Sequence, residues 1–304
     1  MGARRPPVSQ ARLPPGHHHA AVAGPAASSR MSGIHSEIEH MNTAIPEFRH
    51  SRVTRDARGI YTLHIEGIKS LNILSTPVTL GVTQACRWIA AQPDAKAVVL
   101  RGINDKAFVG GANIFEMAEL EPASARAFIS CLRDLCDAVR EIPVPTIARI
   151  AGLCLGAGLE LAASCDIRLS AHNGVFGMPE VRIGIPSVIH AVLLPAIIGP
   201  GPTNWLLLTG ETVNAEQAKQ WGFLEFTCEL DQLDALVEHS VAPIAASGPR
   251  AVRAQKTLLR HWESDSIPVG LDRSVQMFGA SFETNEPREF MAPFLARKRE
   301  GVAP

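Results

Sequence analysis

Residues 147–160, Ile-Ala-Arg-Ile-Ala-Gly-Leu-Cys-Leu-Gly-Ala-Gly-Leu-Glu, restrict this chain more than any other stretch. Pro143 and Pro145 close off the segment before it, residues 146–150 alternate like a short buried strand, and Gly152, Gly156 and Gly158 crowd the turn that follows. Leu159, Leu161, Ala162 and Ala163 then suit a short helix, so the backbone N–H groups around Ala157 are expected at a helix N-terminus, aimed outward and unpaired. Such a place attracts negative charge. Glu160 falls in the first turn of that helix, and Phe176-Gly177-Met178-Pro179-Glu180 brings a second carboxylate on a turn.

Three readings of the stretch compete. Gly152-Leu153-Cys154-Leu155-Gly156 has the outline of a nucleophile elbow with cysteine as nucleophile, which would make the protein a hydrolase of activated esters. A lone cysteine among leucine and alanine is more often a small core residue, and the histidines available as its base, His190, His239 and His261, sit in no convincing strand-end loop. A dinucleotide fingerprint fails: the segment from Gly156 to Leu161 lacks the third glycine, and no acidic residue closes a following strand. The third reading uses the N–H groups as an oxyanion hole and the two glutamates as acid and base.

With 304 residues, 46% of them apolar, and a formal net charge of −1, the chain can bury a sizeable core. It has no basic block and a single tyrosine, so it carries no electrostatic footprint for nucleic acid or a membrane surface, and no apolar run is long enough for a span. Cys86, Cys131, Cys136, Cys154, Cys165 and Cys228 lack Cys-x-x-Cys pairing and read as reduced thiols of an intracellular protein. Residues 1–45, rich in Pro, Ala, Ser, His and Arg with no acid before Glu37, read as a disordered tail. Arg4, Arg5, Arg12 and Arg30 give that tail a faint transit-peptide character, which Pro6, Pro7, Pro14, Pro15 and Pro25 interrupt. Met31 or Met41 would serve equally as first residue, and the expected location is cytoplasmic with mitochondrial targeting left open. His17, His18 and His19 are read as inert, and no metal is expected.

From Tyr61 onward one kind of unit repeats: a short strand, a turn of small residues, then a helix. Strands are expected over 61–66, 97–101, 146–150 and 167–171, and helices over 76–91, capped and started by Thr76-Pro77, and over 123–140. Gly110-Gly111-Ala112-Asn113-Ile114 is a second glycine-bearing turn. The regularity predicts an α/β core, and beyond Pro186 the pattern predicts helices only.

Ala107-Phe108-Val109-Gly110-Gly111-Ala112-Asn113-Ile114, the loop from Gly152 to Glu160, Cys165-Asp166-Ile167 and Phe176-Gly177-Met178-Pro179-Glu180, taken in series, resemble the crotonase superfamily, the enoyl-CoA hydratase and isomerase group. The resemblance covers residues 53–299. It implies a crotonase-like spiral of repeated ββα units over 46–240, a helical C-terminal trimerisation region over 241–304, acyl-CoA thioesters as substrates, no cofactor beyond that coenzyme A, and homotrimers that often pair into hexamers. Carried over by position, the N–H groups of Ala112 and Ala157 form the oxyanion hole. Glu160 activates water for attack at the β-carbon, and Glu180 supplies the proton to the α-carbon in a syn addition. Two carboxylates around one water repel when both are ionised, so a dry pocket should keep one protonated near neutral pH. Lys69, Asn113, Ile114, Phe294 and Arg297 match positions that reach coenzyme A in relatives.

The sequence departs from ordinary short-chain hydratases in two places. Gly184-Ile-Pro-Ser-Val-Ile-His190 replaces a glycine-rich run, putting bulk where glycine would leave space, and Asn113 replaces a common aspartate. Ser187 is expected to cap the next helix. Phe115, Met117, Phe128 and the segment from Val188 to His190 are expected along the acyl side, and His190 is a candidate substrate contact. An isomerase using one glutamate and a catalytically idle scaffold are the alternatives; both glutamates and both glycine turns weigh against them. Apolar residues at 205–208, Leu259, Trp262 and 271–282 predict an oligomer.

Overall fold

In the computed structural model, which describes residues 44–299, the backbone winds through repeated units of long strand, short strand and helix. A hairpin of β1 (Ser51–Arg55) and β2 (Ile60–Ile65) leads into α1 (Thr76–Ala90). Then β3 (Ala97–Gly102) and β4 (Ala107–Val109) precede α2 (Ile114–Met117) and α3 (Pro122–Arg140), and β5 (Thr146–Ile150) and β6 (Leu153–Leu155) precede α4 (Ala157–Ala163). Next, β7 (Ile167–Ala171) and β8 (Val175–Gly177) precede two 3₁₀ turns, Pro179–Ile183 and Ile189–Leu193. The rest is α5 (Leu194–Ile198), α6 (Pro200–Thr209), β9 (Thr212–Asn214), α7 (Ala215–Gln220), β10 (Phe226–Cys228) and α8 (Leu233–Ala246), followed by α9 (Pro249–Trp262), α10 (Ile267–Ser281) and α11 (Glu286–Arg299).

The strands form two sheets, the second built from three-residue strands alone. One has six strands in the order β1-β2-β3-β5-β7-β10, the other four in the order β4-β6-β8-β9. Only the β1–β2 and β8–β9 pairs are antiparallel. Every residue of β5 is buried, as parallel strands covered on both faces require. One face of the large sheet, with Leu63, Leu100 and Ala148, joins the main core under α1, α3 and α4. The other face, with Ile60, Val99 and Ile147, packs Leu233, Val237 and Val241 of α8.

Three expectations change. The turn after residue 150 contains a strand, β6, because Leu153, Cys154 and Leu155 pair with β4 and β8 in the second sheet. The region beyond Pro186 is not helical throughout: β9 and β10 close one edge of each sheet. Three-residue strands are too short for periodicity to reveal and exist through their neighbours. The cap of α1 is Ser75 rather than Thr76, whose N–H and hydroxyl instead donate to the Glu116 carboxylate. The tail expected over 1–45 lies almost wholly outside the described residues, and among those described no helix is long and apolar enough to cross a membrane.

One half-buried carboxylate, paired with the buried Lys256, ties the C-terminal helices to the spiral. Asp166 accepts from the Thr146 N–H at 2.7 Å and its hydroxyl at 2.8 Å, from Lys256 Nζ at 2.7 Å, and from Arg260 at 2.8 Å. Lys256 also donates to the Val144 carbonyl at 2.8 Å. Removing one partner of such a pair strands a charge in the interior, at a cost of about 3–5 kcal/mol. Asp166→Ala should therefore lower the urea midpoint sharply, and Asp166→Ala combined with Lys256→Met should recover part of the loss.

Candidate active site

The three short parallel strands of the second sheet end at one place. Register pairs Val109 with Cys154, and Leu155 with Gly177, so the residues that follow each strand emerge side by side. After β4 comes Gly110-Gly111-Ala112, after β6 comes Gly156-Ala157, and shortly after β8 come Pro179 and Glu180. They open onto a cavity of about 530 Å³. Its far walls are apolar: Met117 and Leu120 after β4, Phe128, Ile129 and Leu132 on α3, and Ile183, Ile185 and Val188 after β8.

Leu74 brackets Ala112, its N–H donating to the Gly111 carbonyl at 2.9 Å and its carbonyl accepting the Asn113 N–H at 2.8 Å. In a parallel bridge the residue so bracketed turns its own N–H away from its partner, and Ala112 lines the cavity. Ala157 is the first residue of α4, where no carbonyl lies four residues back within the helix to accept its N–H. Among the described residues neither N–H has an acceptor.

Gly156 makes the arrangement possible. Its φ is +52°, and a Cβ there would lie 2.5 Å from Glu180 Oε1, so any side chain would both strain the backbone and displace that carboxylate. Gly158 serves the same crowding, since a Cβ would sit 2.2 Å from the Val109 carbonyl oxygen.

Glu160 is 4% exposed, and its Oε1 accepts the Ala191 N–H at 3.0 Å. Burial pushes its carboxyl up to about 8, the Ala191 N–H opposes the rise, and the charge of Glu180 adds to it. Glu180 is half-buried and also raised, chiefly by burial, against hydrogen bonds from its own N–H and from Ser187. The Ser187 hydroxyl donates to Glu180 Oε2 at 2.8 Å. Both carboxylates line the same cavity, Glu160 held by the Ala191 N–H and Glu180 by Ser187 and its own N–H.

Several expected residues stand elsewhere. Ser187 caps no helix, because Gly184, at φ +81°, reverses the chain and returns Ser187 to Glu180. Phe115 is 81% exposed and outside the cavity wall, whereas Met117, Phe128 and Val188 line it as expected. His190 does not line the cavity; it is buried, its Nε2 lies 3.1 Å from Asp137 Oδ1, and burial lowers its pKa against the pull of Asp137. Cys154 is fully buried, its thiol donates to the Gly158 carbonyl at 3.4 Å, and burial drives its pKa far above the ordinary range. A nucleophile needs the opposite environment, which removes the hydrolase reading.

Ile114 lines the cavity, while Lys69, Asn113, Phe294 and Arg297 do not. Asn113 caps α2, accepting the Phe115 N–H at 3.2 Å. Phe294 and Arg297 lie on exposed α11. Three groups escaped sequence reasoning: the Ala191 N–H, the Ser187 hydroxyl and Arg126, which also lines the cavity. A backbone donor has no side-chain signature; for Ser187 the Gly184-Ile-Pro186 turn was the available signal.

Ile189 has φ +40°, a costly left-handed conformation for a β-branched residue, of order 1–3 kcal/mol. It persists between two anchors, Ser187 on Glu180 and Ala191 on Glu160.

Paired carboxylates and free N–H donors thus meet on the rim of one apolar cavity, an arrangement that can hold a polar group and exchange protons with it. The sequence profile of the enoyl-CoA hydratase/isomerase family matches residues 55–301, and the chain belongs to that family. It is 31% identical over 238 residues, 78% of this chain and 92% of the relative, to the crotonyl-CoA hydratase of Syntrophomonas wolfei. An enoyl-CoA hydratase/carnithine racemase structure from Magnetospirillum magneticum superposes with a TM-score of 0.77 at 31% identity, covering 83% of this chain and 95% of that one. The enoyl-CoA hydratase of Bacillus anthracis superposes with a TM-score of 0.78 at 26% identity, covering 84% and 98%. These superpositions bear out the crotonase-like α/β fold.

The raised carboxyl carries a stability consequence. Glu160 ionises near 4.5 when unfolded and near 8 when folded, so its contribution is complete below about pH 4.5 and is lost as pH rises toward 8. Denaturation series at pH 5 and pH 8 should show the wild type losing stability on the order of a few kcal/mol more than Glu160→Gln does across that interval.

Proposed function

We propose that the protein is an enoyl-CoA hydratase, adding water across the double bond of a 2-enoyl-CoA thioester. The observation that carries this reading is the meeting of Glu160, Glu180 and the free N–H groups of Ala112 and Ala157 around one apolar cavity. The relatives' names support the substrate class.

The thioester oxygen accepts from the two N–H groups, which stabilise the enolate-like charge; one such donor contributes roughly 3 kcal/mol in acyl-transfer enzymes. Glu160 holds and deprotonates the water that attacks the β-carbon, and Glu180 protonates the α-carbon. Burial raises both carboxyls, which favours a pair holding one proton near neutral pH and titrating as a unit. The Ala191 N–H occupies one oxygen of Glu160 and leaves the other for water, while Ser187 and the N–H of Glu180 itself orient Glu180 toward the substrate. Coenzyme A is part of the substrate, and Lys69, Asn113, Ile114, Phe294 and Arg297 are its proposed contacts. Of these, Phe294 and Arg297 stand away from this chain's own cavity, as residues reaching a neighbouring subunit's substrate would. An isomerase needs one carboxylate, and the presence of both favours the hydratase.

Glu160→Gln and Glu180→Gln should each lower the hydration rate by roughly 10²- to 10⁴-fold, while a non-reacting acyl-CoA still binds by calorimetry. Near wild-type hydration by either variant refutes the two-glutamate mechanism.

The helices from residue 241 onward form the proposed oligomerisation region. Leu271, Val275, Phe278 and Phe282 repeat along one side of α10, and all are exposed in the single chain. Trp205, Leu208, Leu259 and Trp262 add further exposed apolar surface, more than a lone chain ordinarily presents. Sedimentation at micromolar concentration should show a trimer or a hexamer; a monomer overturns the assembly.

A further inference from the structure

The charged side chains lining the cavity are Glu160, Glu180 and Arg126. The glutamates have roles in the reading above, whereas Arg126 has none. It has no ion pair or hydrogen bond among the described residues, although a salt bridge is the common state of arginine elsewhere in this fold. Glu116, at the end of α2, is engaged by the N–H and hydroxyl of Thr76.

Its place along α3 is informative. Asp137 of α3 lies beside His190, next to the Ala191 N–H that holds Glu160. Arg126 comes eleven positions earlier on the same helix, about 16 Å back along the axis at 1.5 Å per residue. Leu132, Ile129 and Phe128 line the cavity between these two levels. An acyl chain leaving the thioester along α3 therefore meets apolar side chains first and an unpaired guanidinium at the far end.

We infer that Arg126 is a specificity determinant for 2-enoyl-CoA thioesters whose acyl chain ends in a carboxylate, the mono-thioesters of unsaturated dicarboxylic acids. The inference rests on the enoyl-CoA reading above and names its substrate class. A guanidinium receives a carboxylate through two parallel N–H donors, and Arg126, exposed in the single chain, is open to the carboxylate end of an acyl chain that fills the cavity.

The test compares two 2-enoyl-CoA thioesters of equal chain length, one ending in a methyl group and one in a carboxylate, on wild type, Arg126→Gln, Arg126→Lys and Arg126→Glu. Wild type should favour the carboxylate-ended thioester in kcat/KM. Arg126→Gln should lower that preference about three- to fivefold, the worth of one ion pair at an exposed site. Arg126→Lys should restore part of it, and Arg126→Glu should reverse it. Absence of a preference in wild type, or a preference that Arg126→Gln leaves intact, overturns the inference. An equal loss on both thioesters has the same meaning, since it places Arg126 on the coenzyme A phosphates common to both. If neither thioester is hydrated, the hydratase reading fails on its own. Calorimetry with the matching saturated thioesters then decides the inference: an affinity ratio unmoved by Arg126→Gln overturns it.

Discussion

The parallel pairing of β4, β6 and β8 is the constraint on which the site depends. Each strand is three residues long, too short to persist alone, yet their register decides which backbone atoms and carboxylates face one another. A slip of one residue would turn every side chain of a strand to the opposite face and move Glu160 or Glu180 off the cavity. The large sheet prevents this. β3, β5 and β7 are longer, buried and each joined to its short partner by a few residues, so their register carries through to the second sheet.

The site opposes this stability. Two carboxyls brought out of water resist ionisation, and Ile189 holds an unfavourable backbone angle between them. The compensation is local: Ala191 and Ser187 supply hydrogen bonds, His190 reaches Asp137 on α3, and Gly156 removes the side chain that would fill the space of Glu180. Pre-formed donors and desolvated acids are worth most where water is scarce, so the features that cost stability are those the proposed hydration uses. The bulky run from Val188 to His190 does two jobs: Val188 walls the cavity and His190 anchors the chain behind it.

Asp166 extends the same logic to the C-terminal helices. By gathering Thr146, Lys256 and Arg260 it locks α9 to the ends of the central strands, and α10 follows with an apolar face turned to solvent in the single chain. The spiral is thus joined rigidly to the surface that the assembly proposal uses.

The chain's own order of residues determined a great deal. Proline boundaries and alternation mark residues 146–150 as a strand, alternation marks 167–171, and the structure has both at those bounds. The glycine turn at Ala157 and the two glutamates stand out in the order of residues, Ala112 enters through the family resemblance, and the structure places all four on one cavity. Tertiary structure alone decided the rest. β6, β8, β9 and β10 exist through partners distant in sequence, and Ser187 meets Glu180 because Gly184 turns the chain back. His190 and Cys154 carry titratable groups that sequence made candidates, and burial made them structural. The Ala191 N–H and the placement of Arg126 belong to three-dimensional packing, because a backbone donor leaves no mark in composition and an arginine's neighbours are set only when the helix beneath it has docked.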